Sequence, residues 1–420
     1  MKVVLLSTND ITGGAAIVTL RLTRALRRAG MDATMVAARR GADNPEVVGA
    51  GSRRRFMLAS YGERLRIFLA NGLDRAGLFT VDIGRAGLPL HRHPQVREAD
   101  VVVVAWVNQG MLSLRELERI AAEKPVVVVM HDMWWLTGVC HHAGECVRFR
   151  QGCGRCPMLG RGARDSDLSA STWRLKKRVY ANPDIHFVAV STWLRDRCLE
   201  SPLMEGKEVE VIPNPFPVEE FADGPRLSAE ELGLPSLTPG RTVMAMGAAR
   251  LDDPIKCFPL AIDTLNILAD KHPETQPYAI FFGALRDPSV LERLNVPYTW
   301  LGPLSDPRAI RAVYHTADTV LSTSSYETLP TTLIEGQAAG CFPVSFNRGG
   351  QADIIADGLT GALAQWPDTS ALASGITLGH NLRHSDPSLQ ARLLASAARF
   401  AAPAIAARYT ALFRRLLTVR

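Results

Sequence analysis

The sequence predicts an α/β protein made of two doubly wound domains, each a parallel sheet covered on both faces by helices. Three observations carry this. Short, continuously apolar runs alternate with helix-spaced patterns along the chain, as strands buried on both faces do. Pro213-Asn214-Pro215-Phe216-Pro217 and the polar stretch from Phe221 to Gly240 interrupt the alternation midway and read as a hinge. The 420 residues, 47% of them hydrophobic, suffice for two packed units of roughly 200 residues each.

In chain order, the first half offers strands at Lys2 to Leu6, Ala33 to Val36, Val101 to Val107, Val126 to Met130 and Phe187 to Val190. Helical patterns at Ala15 to Ala29, Leu112 to Ala122 and Trp193 to Leu199 separate them. The second half repeats the habit, with strands at Thr242 to Met246, Tyr278 to Phe282, Tyr298 to Leu301 and Thr319 to Leu321. Its helices are expected at Leu260 to Leu268 and Ile310 to His315. Tyr409, Leu412, Phe413, Leu416 and Leu417 fall at helical spacing, so Ala404 to Leu417 closes the chain as a helix.

Composition narrows the function. A net charge of +6 is modest for this length, so nucleic-acid binding is not implied, while attraction to an anionic membrane surface is compatible with it. The apolar start Val3-Val4-Leu5-Leu6 meets polar Ser7-Thr8-Asn9-Asp10 too soon for a signal peptide. No run reaches the ~20 apolar residues of a membrane span, and a cytoplasmic protein is expected. Between Ser52 and Leu73, Arg53-Arg54-Arg55-Phe56-Met57-Leu58 and Arg64-Leu65-Arg66-Ile67-Phe68-Leu69 mix basic with large apolar residues. That is the composition of an interfacial helix or of a core helix with a solvated basic edge.

Four strand ends carry polar or glycine-rich signals, and ligands of open parallel sheets sit at strand carboxyl ends. Gly13-Gly14 opens the first helix and lets backbone approach a ligand, but it is not the Gly-x-Gly-x-x-Gly dinucleotide fingerprint, which argues against a nicotinamide enzyme. His131-Asp132 follows the strand ending at Met130. Arg250 and Lys256 follow the strand ending at Met246, two cations able to stabilise a departing diphosphate without a metal. Glu327 and Glu335 straddle the entry to a helix that Pro330 suits at its first position.

Tyr326 to Glu335, continued by Ala339-Gly340-x-x-Pro343-Val344, resembles the Glu-x7-Glu motif of retaining GT-B glycosyltransferases, in particular family 4. The resemblance spans nearly the whole chain and is weakest between Arg39 and Glu98. It implies two Rossmann-like domains facing across a cleft, with residues 1–215 as the acceptor-side domain and 216–400 as the nucleotide-sugar domain. Residues 401–420 would form a helix packing back on the first domain; an ordinary capping helix of the second is the alternative. Arg250 and Lys256 resemble the family's diphosphate-binding pair, although Cys257 stands where a glycine is usual. By the same resemblance Glu327 would meet donor-sugar hydroxyls and Glu335 the nucleotide ribose. Backbone N–H groups of Leu329 and Thr331 would meet the distal phosphate, Gly13 and Gly14 would border the diphosphate, and His131 would contact the sugar near the reacting carbon. Transfer in this family is thought to occur on one face of the sugar, the departing phosphate taking the acceptor's proton.

Four of seven cysteines lie close together, as Cys140-x5-Cys146-x6-Cys153-x2-Cys156, within residues 140–157. Four thiolates suit structural zinc, Cys153-x2-Cys156 being a proper half-site; two disulfides or free thiols are the alternative. His131-Asp132-x-Trp134-x-x-Thr137-Gly138-x-Cys140 with Gly152-Cys153-x-x-Cys156-Pro157 resembles a subgroup of family 4 that builds bacterial exopolysaccharides, colanic-acid types among them. The sequence therefore reads as an enzyme moving a sugar from a UDP- or GDP-sugar to a glycan or polyprenyl-diphosphate-linked acceptor, with no catalytic metal. It would act in the cytoplasm, in peripheral contact with the inner face of an anionic membrane. Its rivals are a GT-B sugar-nucleotide epimerase and an inactive glycan-binding scaffold.

Overall fold

The computed structural model describes residues 1–75 and 77–419 and divides into two compact units, Met1–Pro215 with Ala402–Arg420 and Phe216–Ala401. The first unit holds strands β1 (Lys2–Asn9), β2 (Asp32–Arg39), β3 (Val47–Gly49), β4 (Val101–Val104), β5 (Val126–Met130), β6 (Ile185–Ala189) and β7 (Val209–Val211). They form one parallel sheet in the order β3-β2-β1-β4-β5-β6-β7. Its centre is valine: every residue of β4 and β5 is buried, because β-branched side chains fill both faces of a helix-covered sheet. Around it lie α1 (Gly14–Arg28), α2 (Arg53–Ala70), α3 (Pro94–Glu98), α4 (Leu114–Ala121), α5 (Leu168–Tyr180) and α6 (Thr192–Leu199).

The second unit holds β8 (Val243–Arg250), β9 (Tyr278–Ala284), β10 (Tyr298–Trp300), β11 (Thr319–Ser322), β12 (Phe342–Phe346) and β13 (Ala362–Ala364). These too run parallel, in the order β10-β9-β8-β11-β12-β13. Helices α7 (Val218–Asp223), α8 (Phe258–Lys271), α9 (Pro307–Thr316), α10 (Thr331–Ala338), α11 (Thr369–Ser385) and α12 (Leu389–Ala398) accompany them. Its core packs Phe258, Ile262 and Leu265 of α8 with Phe281, Phe342, Phe346 and the inner face of α11. The last helix, α13 (Ala402–Val419), belongs to the first unit and packs on α1. Tyr409 and Phe413 bury its inner face, and Arg415 donates to Glu210 at 2.6 Å.

The strands differ from the sequence expectation in several places: β3, β7 and β13 are additional, and β1 and β2 run on to Asn9 and Arg39. β4 stops at Val104, and the apolar run beyond it turns through Trp106, whose indole N–H donates to Asp132 at 3.1 Å. β8 does not stop at Met246; after a register irregularity between Gly247 and Arg250 it resumes, so Arg250 ends the strand rather than following it. The polar stretch after Phe216 contains α7, a short helix with acidic residues in its first turn, where the helix dipole favours them. No helix among the described residues is long and apolar enough to cross a membrane.

Candidate active site

In each sheet the strand order reverses at one place, between β1 and β4 and between β8 and β11, and there the loops leave in opposite directions to open a crevice. The sequence-predicted residues of the second unit gather at the β8/β11 reversal. Arg250 closes β8, and its guanidinium donates to Asp252 at 3.1 Å, holding that carboxyl below its usual range. Lys256 follows in a short turn and reaches Glu327, its ammonium 2.5 Å from Oε1. Ser324 donates to the same oxygen at 3.0 Å.

The two loops are tied by backbone. Ser325 N–H donates to the carbonyl of Ile255 at 2.8 Å, and the Thr323 hydroxyl to that of Lys256 at 2.9 Å. Glu327 is held from the other side by the N–H of Gly350, which donates to its carbonyl at 2.9 Å. A Cβ on Gly349 would stand 1.8 Å from the Glu327 carbonyl oxygen, so no side chain fits there. Glu335, on α10, accepts from the buried hydroxyl of Tyr314 at 3.0 Å; burial, then the Glu335 charge, holds that phenol well above its ordinary value.

The helix starts at these loops lack a side-chain cap, as do those of α2, α3, α7, α8 and α12. Ser113, Asp167, Ser191, Asp306 and Asp368 cap α4, α5, α6, α9 and α11 with side-chain oxygens. Gly13 before α1 and Pro330 before α10 supply no such oxygen, so no N-cap side chain takes the first N–H groups, at Thr331 and its neighbours. Leu329 is buried immediately before that start. Gly13 has φ +90, and a Cβ on Gly13 or Gly14 would meet nothing within 4 Å, so the loop borders open space.

Cys257 lies in the left-handed region, φ 48 and ψ 45, as N-cap of α8. That conformation explains the glycine usual at this place, because a Cβ there costs about 1 kcal/mol. Cys257→Gly is accordingly expected to raise the urea midpoint, by about 1 kcal/mol of stability, with no loss of activity.

In the first unit His131 follows β5 and is half-buried. Loss of water pushes its pKa down to about 4, Asp132 opposing only in part, so the imidazole is neutral at physiological pH. Asp132 is held at about 2: burial opposes its charge, but His141 and the Trp134 N–H outweigh it. His141 bridges two carboxylates, Nδ1 to Asp132 at 2.6 Å and Nε2 to Asp82 at 2.8 Å, and rises to about 10 despite its burial. Arg64 closes the chain of charges on Asp82.

These shifts set a pH dependence. His131 has a folded pKa below its unfolded one, so it contributes stability that is complete above 6.5 and lost as pH falls through 4. His141 keeps its proton in the folded state through that window and is present in wild type and variant alike. The stability difference between wild type and His131→Gln, from urea unfolding, should therefore shrink between pH 6.5 and 4.

The four cysteines of residues 140–157 carry free thiols and line one small cavity of ≈ 20 Å³, room for a single water-sized sphere. Among the described residues no group of three or more His, Cys, Asp or Glu stands at metal-binding geometry. By chemistry four cysteines lining one cavity are a zinc donor set, although they do not stand at coordinating geometry, and the Gly138 N–H donates to Cys153 Sγ at 3.1 Å. Burial pushes Cys140 to about 12 and Cys156 to about 11, so these thiols ionise only beside a compensating cation. Lys176 is wholly buried next to them, donating to the carbonyls of Trp134 and Thr137, with its ammonium 3.5 Å from the centre of the Trp134 ring.

Asp82, His141 and Trp106 escaped the sequence reading. His141 lies among the cysteines in sequence, and the structure places its ring on two carboxylates.

The sequence model described as Glycosyltransferase Family 4 matches residues 12–220, and that described as Glycosyl transferases group 1 matches residues 290–388. No curated protein matches by sequence. Among solved structures, Anabaena Alr3699/HepE in complex with UDP-glucose is 17% identical with TM-score 0.62, covering 99% of this chain and 100% of that one. A glycosyltransferase from Rickettsia africae is 16% identical with TM-score 0.64, covering 99% and 98%. Sucrose-phosphate synthase from Thermosynechococcus elongatus is 17% identical with TM-score 0.63, covering 100% of both chains. At these identities the likeness shows the fold, two parallel α/β sheets of GT-B type.

Proposed function

Because the chain belongs to glycosyltransferase family 4, we propose that it is a retaining enzyme that moves a sugar from a UDP- or GDP-sugar to a glycan or polyprenyl-diphosphate-linked acceptor. The observation that carries this is the Lys256–Glu327 pair at the β8/β11 reversal, with side chains 28% and 21% exposed. A solvent-accessible pair of this kind can exchange partners: a donor diphosphate takes Lys256, and the Glu327 carboxylate is released to accept from sugar hydroxyls. Arg250 adds a second fixed cation to the leaving group, whose charge grows in the transition state. The N–H groups of Leu329 and Thr331 receive the distal phosphate, and Glu335, oriented by Tyr314, receives the ribose hydroxyls.

In the first unit we assign Gly13 and Gly14 to the diphosphate and His131 to the donor sugar. The neutral imidazole suits a hydrogen-bond partner rather than a charge. Transfer then needs no side-chain nucleophile: the C–O bond to phosphate breaks as the acceptor oxygen attacks the same sugar face, and the phosphate oxygen takes its proton. Structural zinc is assigned to Cys140, Cys146, Cys153 and Cys156, whose four thiolates would leave a net negative site beside the buried Lys176 charge. In this reading the products enter a bacterial surface polysaccharide, made at the cytoplasmic membrane face.

The test is product stereochemistry. With a donor and an oligosaccharide acceptor, proton NMR of the first product should show the anomeric configuration of the donor. Inversion would overturn the retaining assignment, and a free epimer formed without acceptor would favour the epimerase.

A further inference from the structure

Helix α2 is an unusual surface element. Its inner face buries Phe56, Glu63, Arg64 and Ile67. Its outer face shows Leu58, Tyr61, Leu65 and Leu69 at 73%, 65%, 55% and 58% exposure, spaced three and four apart so that they form one stripe. Leu73 and Phe79 extend the apolar surface beyond the helix, while Arg53, Arg54 and Arg55 stand exposed at its start. A monomeric surface rarely carries so continuous an apolar strip, and a basic end beside it is the pattern of elements that lie on anionic bilayers.

The stripe runs into a groove of ≈ 1090 Å³ in the same unit. Arg66, Arg85, Arg115, Arg174 and Arg178 line it, together with apolar Leu69, Ile83 and Leu175 and no acidic residue. Arg178 pairs with Glu118 at 3.6 Å. Among the described residues Arg66, Arg85, Arg115 and Arg174 have no ion-pair partner. Arg85 is destabilised as a cation by partial burial and by the charges of Arg66 and Arg115. The acid whose field reaches it, Glu63, is itself buried: its Oε1 accepts from the N–H groups of Ile83 and Gly84 at 2.8 and 3.1 Å, and its Oε2 has no hydrogen-bond partner among the described residues. All four are exposed and so hydrated one by one, but together they give the groove a basic lining without acids, which an anion complements.

We propose that this groove receives the diphosphate headgroup of a long-chain lipid acceptor while the α2 stripe lies in the membrane interface beside it; the proposal rests on the glycosyltransferase reading above and gives its acceptor a place. Charge number selects the headgroup. A phosphodiester lipid brings one negative charge, whereas a diphosphate brings two or more, with oxygens that the arginine forks take in bidentate fashion. Leu69 belongs to both surfaces, so an amphiphile can keep its chain in the bilayer and its phosphates in the groove. Ile83, in the groove lining, follows Asp82 in the chain, the aspartate that with Asp132, the neighbour of His131, holds His141.

The test is flotation of the full chain with phosphatidylcholine vesicles carrying a polyprenyl diphosphate. Controls are vesicles of equal surface charge carrying phosphatidylglycerol, and competition by inorganic diphosphate. Wild type should prefer the diphosphate vesicles. Arg85→Gln with Arg115→Gln should lose that preference by about tenfold or more, equivalent to ~1.4 kcal/mol, and Leu65→Ser with Leu69→Ser should lose binding to both vesicle types. Circular dichroism and the thermal shift with donor nucleotide show that each variant is folded and report on the donor site separately. Equal binding to both vesicle types would overturn the diphosphate site in favour of plain surface charge. Binding of inorganic diphosphate with no vesicle binding would overturn the lipid, and no binding of any probe would overturn the whole inference, even where nucleotide still binds.

Discussion

Lys256→Ala is expected to lower kcat/KM by about 30- to 1000-fold, roughly 2 to 4 kcal/mol of lost transition-state stabilisation, with little change in melting temperature. The two halves of this expectation have different causes. Lys256 sits in a turn, its ammonium paired with a Glu327 side chain that is itself 21% exposed, so the folded state loses a surface-type pair that contributes little. The transition state loses a cation placed where charge develops on the leaving diphosphate. Arg250→Ala should follow the same pattern, with a smaller loss because Asp252 already takes part of the guanidinium. Steady-state kinetics alongside thermal melting reads both quantities. Full activity in both variants would reduce the pair to surface charge.

The second large effect concerns the cysteines. Purified protein is expected to hold one zinc per chain, and Cys156→Ser should remove it and lower stability by about 4 kcal/mol or more, since metal binding to such a cluster is folding free energy. Cys156 is buried in a small core with Ile67, Val81, Ile83, Val139 and Leu159, so unravelling residues 140–157 would also loosen α2. Cys257→Ser, outside the cluster, should keep the metal. Elemental analysis with urea unfolding decides it: metal-free protein of unchanged stability would leave the four as ordinary thiols.

What could be read in the sequence was what local pattern determines. Strands such as Val126–Met130 announce themselves because burial on both faces demands an unbroken apolar run, and Pro330 and Gly13 mark helix starts by backbone chemistry alone. The Lys256–Glu327 pair was accessible as two motifs but not as a contact, since 71 residues separate its members and only the parallel β8–β11 pairing brings them together. Asp82 and His141 were illegible for the same reason without a motif to compensate: an aspartate in a loop and a histidine among cysteines carry no periodic signal. Arg250 was placed one element too late because the irregularity after Gly247 lets β8 resume beyond an apparent end. That position 257 suits a glycine also became visible in structure only with the backbone angles of Cys257.

The central claim is that a nucleotide-sugar donor is bound at the β8/β11 reversal through Glu335 and the cations of Arg250 and Lys256. Calorimetric titration of UDP and GDP, with no added divalent metal, into wild type and into Glu335→Ala tests it most directly. One nucleotide should bind the wild type and bind the variant at least about tenfold more weakly, the loss of a charge-assisted hydrogen bond. Equal binding to both proteins, or no binding of either nucleotide to the wild type, would contradict the account.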